Sequence, residues 1–354
     1  MIEKLRSLGL QILEMVNRGE NPYIEIPVRS LSNIVWDEKA GLLRLGESKA
    51  KRYFFHVGHA RKFMQTMLVA AFCEDLLDEN IHTSIRDMYY NLKRTLPGTK
   101  ENTFDTQDES NPIIVDIETS LNILREQLHL IADRKGVVAG NVVIEDRGDE
   151  IDWSKLGSGG WSIPSAVEDI KFKHVDADFI LVVEKNAAFE RLHEDKFWKK
   201  HHCILIGTGG QAARGTRRLI RRLNKEFNLP VYVMTDADSY GWYIYSVIKA
   251  GSMNLAHTSE LLGTPTAKFI GLSASDIKEY GLENFTIKAT ERDIKRAKEL
   301  LNYPWFQHKE WQKEIKLMIK MGKKAELEAL SSKGLRFITN NYLPEKLEKR
   351  KFLP

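Results

Sequence analysis

Across residues 1–150 the apolar positions keep a helical period. From Gly58 to Asp78, Phe63, Met67, Leu68, Ala71 and Phe72 recur at the three- and four-residue spacing that lines one face of an α-helix. A shorter helix is predicted to start at Thr83 or Ser84, after the Asp-Glu-Asn turn, and residues 121–132 read as another amphipathic helix. Val137 to Ile144, preceded by Gly136 and interrupted by Gly140, reads as a strand or hairpin edge like the wing of a winged helix. Beyond residue 160 the period changes. Phe179–Val183, Cys203–Ile206, Val231–Met234 and Phe269–Leu272 are short unbroken apolar runs, and helical segments follow the second and third. Buried runs alternating with helices predict an α/β fold with a parallel sheet covered on both faces. The polar stretch from Glu145 to Gly160, ending in Gly157, Ser158, Gly159 and Gly160, separates the two patterns. It predicts one domain over 1–150 and a second over 160–354, whose last part, residues 295–354, reads as surface helices with Pro304 and Pro344 as breakers.

Length and composition fit that division. A chain of 354 residues favours two domains, and an apolar fraction of 42% with a mean hydropathy of −0.36 suits packed globular units. The longest apolar runs, such as Met67 to Cys73, fall far short of the roughly 18 residues that span a bilayer. No membrane partner is expected. Met1 to Arg6 mixes charge signs and lacks the apolar stretch of a secretory signal, so a cytoplasmic location is expected. Cys73 and Cys203 have no further Cys or His at ligand spacing, which argues for reduced thiols rather than a disulfide or zinc site.

The net charge of +4, from 53 basic and 49 acidic residues, identifies no partner. Clustering is more informative. Arg214, Arg217, Arg218, Arg221, Arg222 and Lys225 follow one another without an intervening acid, while Leu219, Ile220, Leu223 and Phe227 fall on the opposite side of the same helix. The pattern predicts an outward basic face, either simply solvated or meeting a phosphate backbone through Arg214, Arg217, Arg218 and Arg221.

In open α/β sheets functional groups gather at the carboxyl ends of strands. Glu184 closes one predicted strand, and Asp236 and Asp238 follow another in Thr235-Asp236-Ala237-Asp238-Ser239-Tyr240-Gly241. Convergent carboxylates of this kind suit Mg²⁺, which keeps a few carboxylates, waters and phosphate oxygens. Asp238 alone also reads as the N-cap of a helix beginning near Tyr240. A competing pattern is Gly207, Gly209 and Ala212 in the Gly-x-Gly-x-x-Ala spacing of a dinucleotide fold, with Asp236 as its ribose acid. That reading leaves Glu184 and Asp238 without a role, and Gly210 to Thr216 lacks the lysine of an ATP-binding loop. In the first domain, Arg86 and Tyr90 are four apart and share a helix face, while Tyr89 points elsewhere. A phenol needs a cation or base nearby to act as a nucleophile, and a guanidinium one turn away supplies a cation. Paired tyrosines are otherwise packing residues.

Arg-Asp-Met-Tyr-Tyr, a later strand-end Glu, and Asp-x-Asp-x-Tyr-Gly together resemble the type IIB DNA topoisomerases. That family includes the A subunit of archaeal DNA topoisomerase VI and the eukaryotic meiotic double-strand-break protein. Lys135 to Gly140, Gly160 to Pro164, Thr216–Arg217, Gly251–Ser252, Gly271 to Ile277 and Lys324 to Leu330 extend the likeness over residues 50 to 346. Ser239, where the family commonly has Pro, and the segment from Gly207 to Gly215, a residue shorter with Ala212 at a common Pro position, depart from it. The resemblance implies an N-terminal winged-helix domain carrying the nucleophile Tyr90, with Arg86 beside it and Tyr89 as a packing neighbour, followed by a Toprim domain whose Glu184, Asp236 and Asp238 hold Mg²⁺. It implies transient cleavage of both strands of duplex DNA through 5′-phosphotyrosyl links. It also implies a homodimer of this chain within a heterotetramer with two copies of a GHKL-type ATPase B subunit, in the cytoplasm at the nucleoid. A stand-alone recombination-initiating nuclease of the meiotic type would share every one of these residues.

Overall fold

The computed structural model describes residues 1–354, which divide into two compact units. The first comprises Met1–Val35, Leu43–Asp133 and Met253–Thr258; the second comprises Trp36–Leu42, Arg134–Ser252 and Ser259–Pro354.

In the first unit, helix α1 (Ile2–Asn17) is followed by strand β1 (Tyr23–Pro27), which pairs antiparallel with β2 (Lys49–Tyr53). Helix α2 (Val57–Asp78) buries Val69, Ala70, Cys73 and Leu76 against Met88 and Leu92 of α3 (Ile85–Leu92) and Ile113, Ile114 and Ile117 of α4 (Ser110–Leu121). Burial pushes the Cys73 thiol up to about 12, so it is a core hydrophobe rather than a reactive group. A short parallel pairing of Thr83–Ser84 with Leu130–Ile131 brackets α3. Ser84 caps that helix by accepting from the Asp87 amide at 3.0 Å, which fixes its start where the turn signal predicts.

The helix expected over 121–132 does not form. The preceding α4 ends at Leu121, Asn122 adopts a left-handed conformation (φ 49°), and only a 3₁₀ turn at Arg125–Leu128 follows. Glu118 accepts from the Arg125 amide at 2.6 Å and Gln127 from the Leu124 amide at 2.9 Å, so side chains satisfy the amides that a continuing helix would bond.

The second unit is built on a six-stranded mixed sheet. Its strands in chain order are β3 (Val137–Ala139), β4 (Trp161–Ser162), β5 (Phe179–Val183), β6 (Cys203–Gly207), β7 (Val231–Met234) and β8 (Lys268–Phe269). Their order across the sheet is β4-β3-β6-β5-β7-β8. The four strands β6, β5, β7 and β8 are parallel, and β3 and β4 extend the sheet with antiparallel pairings. The sheet is therefore mixed rather than wholly parallel. A separate antiparallel sheet is made by Val142–Asp146 between Asp149–Asp152 and Lys171–Val175.

This arrangement corrects the reading of 137–144 as a wing on the first domain. Its two halves join two different sheets of the second unit, and Val138, Ala139, Val142 and Ile144 are all fully buried, where a wing would keep one face open. The break between units at Asp133–Arg134 accordingly precedes the Gly-rich stretch. Helix α5 (Asn186–Glu194) follows β5, α6 (Arg214–Phe227) follows β6 and α7 (Ser239–Ala250) follows β7. Near the C-terminus Pro304 opens a 3₁₀ turn, where a missing amide costs nothing, whereas Pro344 follows directly on the π-helical turn Ile338–Tyr342 and sits inside a helical stretch that runs on to Glu348 rather than breaking it.

Candidate metal centre and nucleophile

Strands β5 and β7 are adjacent and parallel, so their carboxyl ends lie side by side; the Glu184 amide donates to the Met234 carbonyl at 3.0 Å. Glu184 thus stands next to the Thr235–Asp238 loop. Two glycines let that loop stay tight. A Cβ on Gly241 would meet the Asp236 carbonyl at 2.8 Å, and one on Gly271 would meet the Thr235 backbone at 2.5 Å. The segment Lys323–Leu327 closes over the loop from the other side. Ala237 and Ala325 exchange backbone hydrogen bonds, and the Leu327 amide donates to Asp236 Oδ1 at 2.8 Å.

Burial sets the electrostatics of the three acids. Desolvation, with Asp236 and Asp238 nearby, pushes the Glu184 carboxyl up to about 7. Asp236 is pushed up to about 6, again mainly by burial, against the opposing pull of the Leu327 amide and Lys185. Asp238 is raised by burial as well. Glu184 Oε2 and Thr235 Oγ1 are buried without a hydrogen-bond partner. A set of desolvated carboxylates with an unpartnered oxygen fits a hard divalent cation. The protein's side chains do not by themselves close into a complete three-ligand cage. Instead, two lysines lie against the acids. Lys185 Nζ is 3.3 Å from Asp236, 3.4 Å from Glu328 and 3.5 Å from Glu326, while Lys324 Nζ is 3.1 Å from Asp293 and 3.9 Å from Asp238. Asp238 also caps α7, its Oδ1 accepting from the Gly241 amide at 2.6 Å, while its Oδ2 is the oxygen that faces Lys324. Ser239 is fully buried and donates to the Asp293 carbonyl at 3.0 Å, which accounts for a hydroxyl residue there.

The tyrosine pair divides sharply. Tyr89 is buried; its hydroxyl donates to the Asp105 carbonyl at 3.0 Å and accepts from Lys93 Nζ at 2.9 Å. Tyr90 is 62% exposed, and Arg86, one turn earlier on α3, is exposed too.

The basic helix is not the outward face that its charge pattern predicts. Arg217 is buried, Arg218 grips Glu168 through two contacts of 2.6 and 2.9 Å and the Leu261 carbonyl at 3.1 Å, and Arg222 bonds Glu226 and the Val167 and Ile170 carbonyls. Much of this charge holds the second unit together. Arg214 and Arg221 are half-buried. The Gly207–Gly215 loop is bonded to its own unit: the Gly210 amide donates to the Glu184 carbonyl at 2.9 Å and Lys135 Nζ to the Gln211 carbonyl at 3.0 Å.

Sequence reasoning did not assign Lys185, Glu328 or Asp293 to this centre. The available signal was a lysine directly after a strand-end acid, and the Lys324–Leu330 stretch, which carries the family likeness, contains both Glu326 and Glu328.

Acids at adjacent parallel strand ends, on a sheet flanked by helices, define a Toprim-type protein, and the family comparison agrees: residues 179–347 match the Toprim domain shared by topoisomerase 6 A subunits and Spo11. Residues 61–130 match "Type IIB DNA topoisomerase", and 135–176 match "All-beta domain in DNA topoisomerase VI alpha subunit". That last match covers the segment expected to be a wing. The chain is 50% identical to the A subunit of type 2 DNA topoisomerase 6 from Pyrococcus abyssi, over 100% of this chain and 95% of the relative. It is 51% identical to the protein so named in Hyperthermus butylicus, over 96% and 92% of the two chains, and 39% identical to that of Methanothermobacter thermautotrophicus, over 98% and 97%. The chain belongs to the family of type 2 DNA topoisomerase 6 A subunits.

Proposed function

We propose that this chain is the DNA-cleaving and rejoining subunit of an ATP-dependent type IIB topoisomerase. Full-length identity of 50% to a named A subunit carries this reading. The chemistry follows from the residues. Tyr90 is the nucleophile: its Oη forms a bond to a backbone phosphorus as the P–O3′ bond breaks, the phenolic proton leaves, and the departing 3′ oxygen is protonated. The resulting 5′-phosphotyrosyl ester replaces one phosphodiester by another, so rejoining needs no ATP at this step. Arg86, on the same helix face, meets the charged phosphate. Glu184, Asp236 and Asp238 hold Mg²⁺, which when bound stabilises charge on the phosphate and the leaving oxygen.

Tyr90 lies on the first unit, read as a DNA-binding domain of winged-helix type without the 137–144 segment, which belongs to the second unit; the acids lie on the second. Two copies of this chain cut one strand each, and the symmetry of a dimer matches that of a duplex. ATP is used by a separate GHKL-type B subunit in a heterotetramer of two A and two B chains. Arg214 and Arg221 meet the phosphate backbone. The test is a denaturing gel of purified chain, B subunit, ATP, Mg²⁺ and supercoiled DNA. Protein-linked double-strand breaks are expected. Their absence under conditions where the same complex binds DNA and hydrolyses ATP would count against the assignment.

A further inference from the structure

Lys185 is the residue that the chemistry above leaves without a task. Its backbone is fixed: it lies between the end of β5 and the start of α5, and its carbonyl accepts from the Phe189 amide at 3.0 Å. Its side chain is 27% exposed, and its ammonium faces two sets of carboxylates at once. One is Asp236, buried and held on its other oxygen by the Leu327 amide; the other is Glu326 and Glu328, each 46% exposed and so free to follow the ammonium. Carboxylates of all three acids lie within 3.3–3.5 Å of the ammonium, which an ordinary lysine carries at neutral pH.

We propose that Lys185 is a tethered cation that occupies the Asp236 side of the metal centre until a divalent ion arrives, and then withdraws to Glu326 and Glu328. Without an ion, the acids at these neighbouring strand ends repel one another, and an ammonium 3.3 Å from Asp236 offsets part of that repulsion. With an ion in place, the same ammonium is a like charge a few ångströms away, an unfavourable contact even under strong solvent screening. The two exposed glutamates give it a place to go without moving the backbone. Lys185 is a positioning residue that sets how tightly the centre takes its ion. This rests on the reading of Glu184, Asp236 and Asp238 as metal ligands, and the experiment separates the two claims.

Mg²⁺ and Mn²⁺ are titrated calorimetrically into the full-length chain without DNA, for the wild type, Asp236→Asn, Lys185→Met and Lys185→Arg. Lys185→Met is expected to bind the ion about tenfold or more tightly and to melt at lower temperature without metal. Lys185→Arg, which keeps the charge, is expected to stay near wild type in both. If Lys185→Met destabilises the chain too far to measure, Lys185→Gln serves. The pair Glu326→Gln with Glu328→Gln is expected to weaken ion binding several-fold when Lys185 is present and clearly less when it is replaced, since its main effect is to strand the lysine on Asp236. Unchanged or weaker affinity in Lys185→Met, with binding weakened in Asp236→Asn, overturns the lysine's role and leaves the metal centre standing. Wild-type affinity in Asp236→Asn overturns the metal reading itself, and the lysine's role with it.

Discussion

Tyr90 and Asp236 stand at opposite ends of a scale of confinement. The tyrosine is 62% exposed on an eight-residue helix, while its neighbour Tyr89 takes the buried place and the hydrogen bonds. Asp236 is 6% exposed, bonded by the Leu327 amide, faced by Lys185 and framed by a loop that tolerates no Cβ at Gly241 or Gly271. The difference fits the roles proposed for the two residues. A nucleophile that joins covalently to a long polymer has to be reachable, and fixing its hydroxyl in a protein hydrogen bond would oppose attack. A set of like charges has to be held together against its own repulsion, which burial heightens and which backbone amides and counter-cations offset.

The sharpest way to break the comparison is at the tyrosines. Tyr90→Phe should lower DNA cleavage by on the order of 10⁴-fold or to background, because no neighbouring group replaces the hydroxyl. Tyr89→Phe should retain cleavage while costing about 1 kcal/mol of stability from its lost hydrogen bonds, read by denaturant unfolding. Next in size, Asp236→Asn should lower cleavage by on the order of 10²-fold or more and shift the metal titration; an unaltered titration would remove Asp236 from the ligand set.

A smaller effect concerns pH. With its folded carboxyl near 7 and an ordinary value of 4.5, Glu184 holds a proton in the folded chain that the unfolded chain has lost between those values. Its contribution to metal-free stability therefore grows as pH falls from about 7 towards 4.5, and the ionised cluster is least comfortable above 7. The rise in Tm caused by Mg²⁺ should accordingly be larger at pH 8 than at pH 6, and an equal or larger rise at pH 6 would contradict this electrostatic picture.

The smallest contrast lies within the basic helix. Arg218→Ala should cost about 1–3 kcal/mol of stability, since it leaves Glu168 partly buried without its partner. Arg221→Gln should instead flatten the salt dependence of duplex binding with little loss of stability. A reversal of these two outcomes would return Arg218 to the DNA.

What could be read from the chain tracks the range over which each feature is determined. Strands 179–183, 203–207 and 231–234, and the acids that follow the first and third, are local patterns of apolar residues with a polar or glycine stop, and the structure has the strands where the pattern places them. The inward turn of the basic helix was hidden because its counter-groups are distant in sequence: Glu168 lies 50 residues from Arg218, and the Val167 carbonyl 55 from Arg222. The same holds for Lys185, whose partners Glu326 and Glu328 arrive from the far end of the chain. The helix expected over 121–132 failed for a local reason that apolar spacing does not report, namely side chains that bond the amides a helix would need. Tyr90 itself was singled out from Tyr89 by family likeness. Periodicity places both on one short helix, and burial then distinguishes them.

The most direct measurement is to trap the cleaved complex, digest it with trypsin, and fragment the peptide Asp87–Lys93 by mass spectrometry to find which tyrosine carries the nucleotide. Phosphotyrosyl linkage at Tyr90, with none at Tyr89, is the predicted result. Linkage at Tyr89, or a covalent complex whose nucleotide lies outside this peptide, would contradict the account.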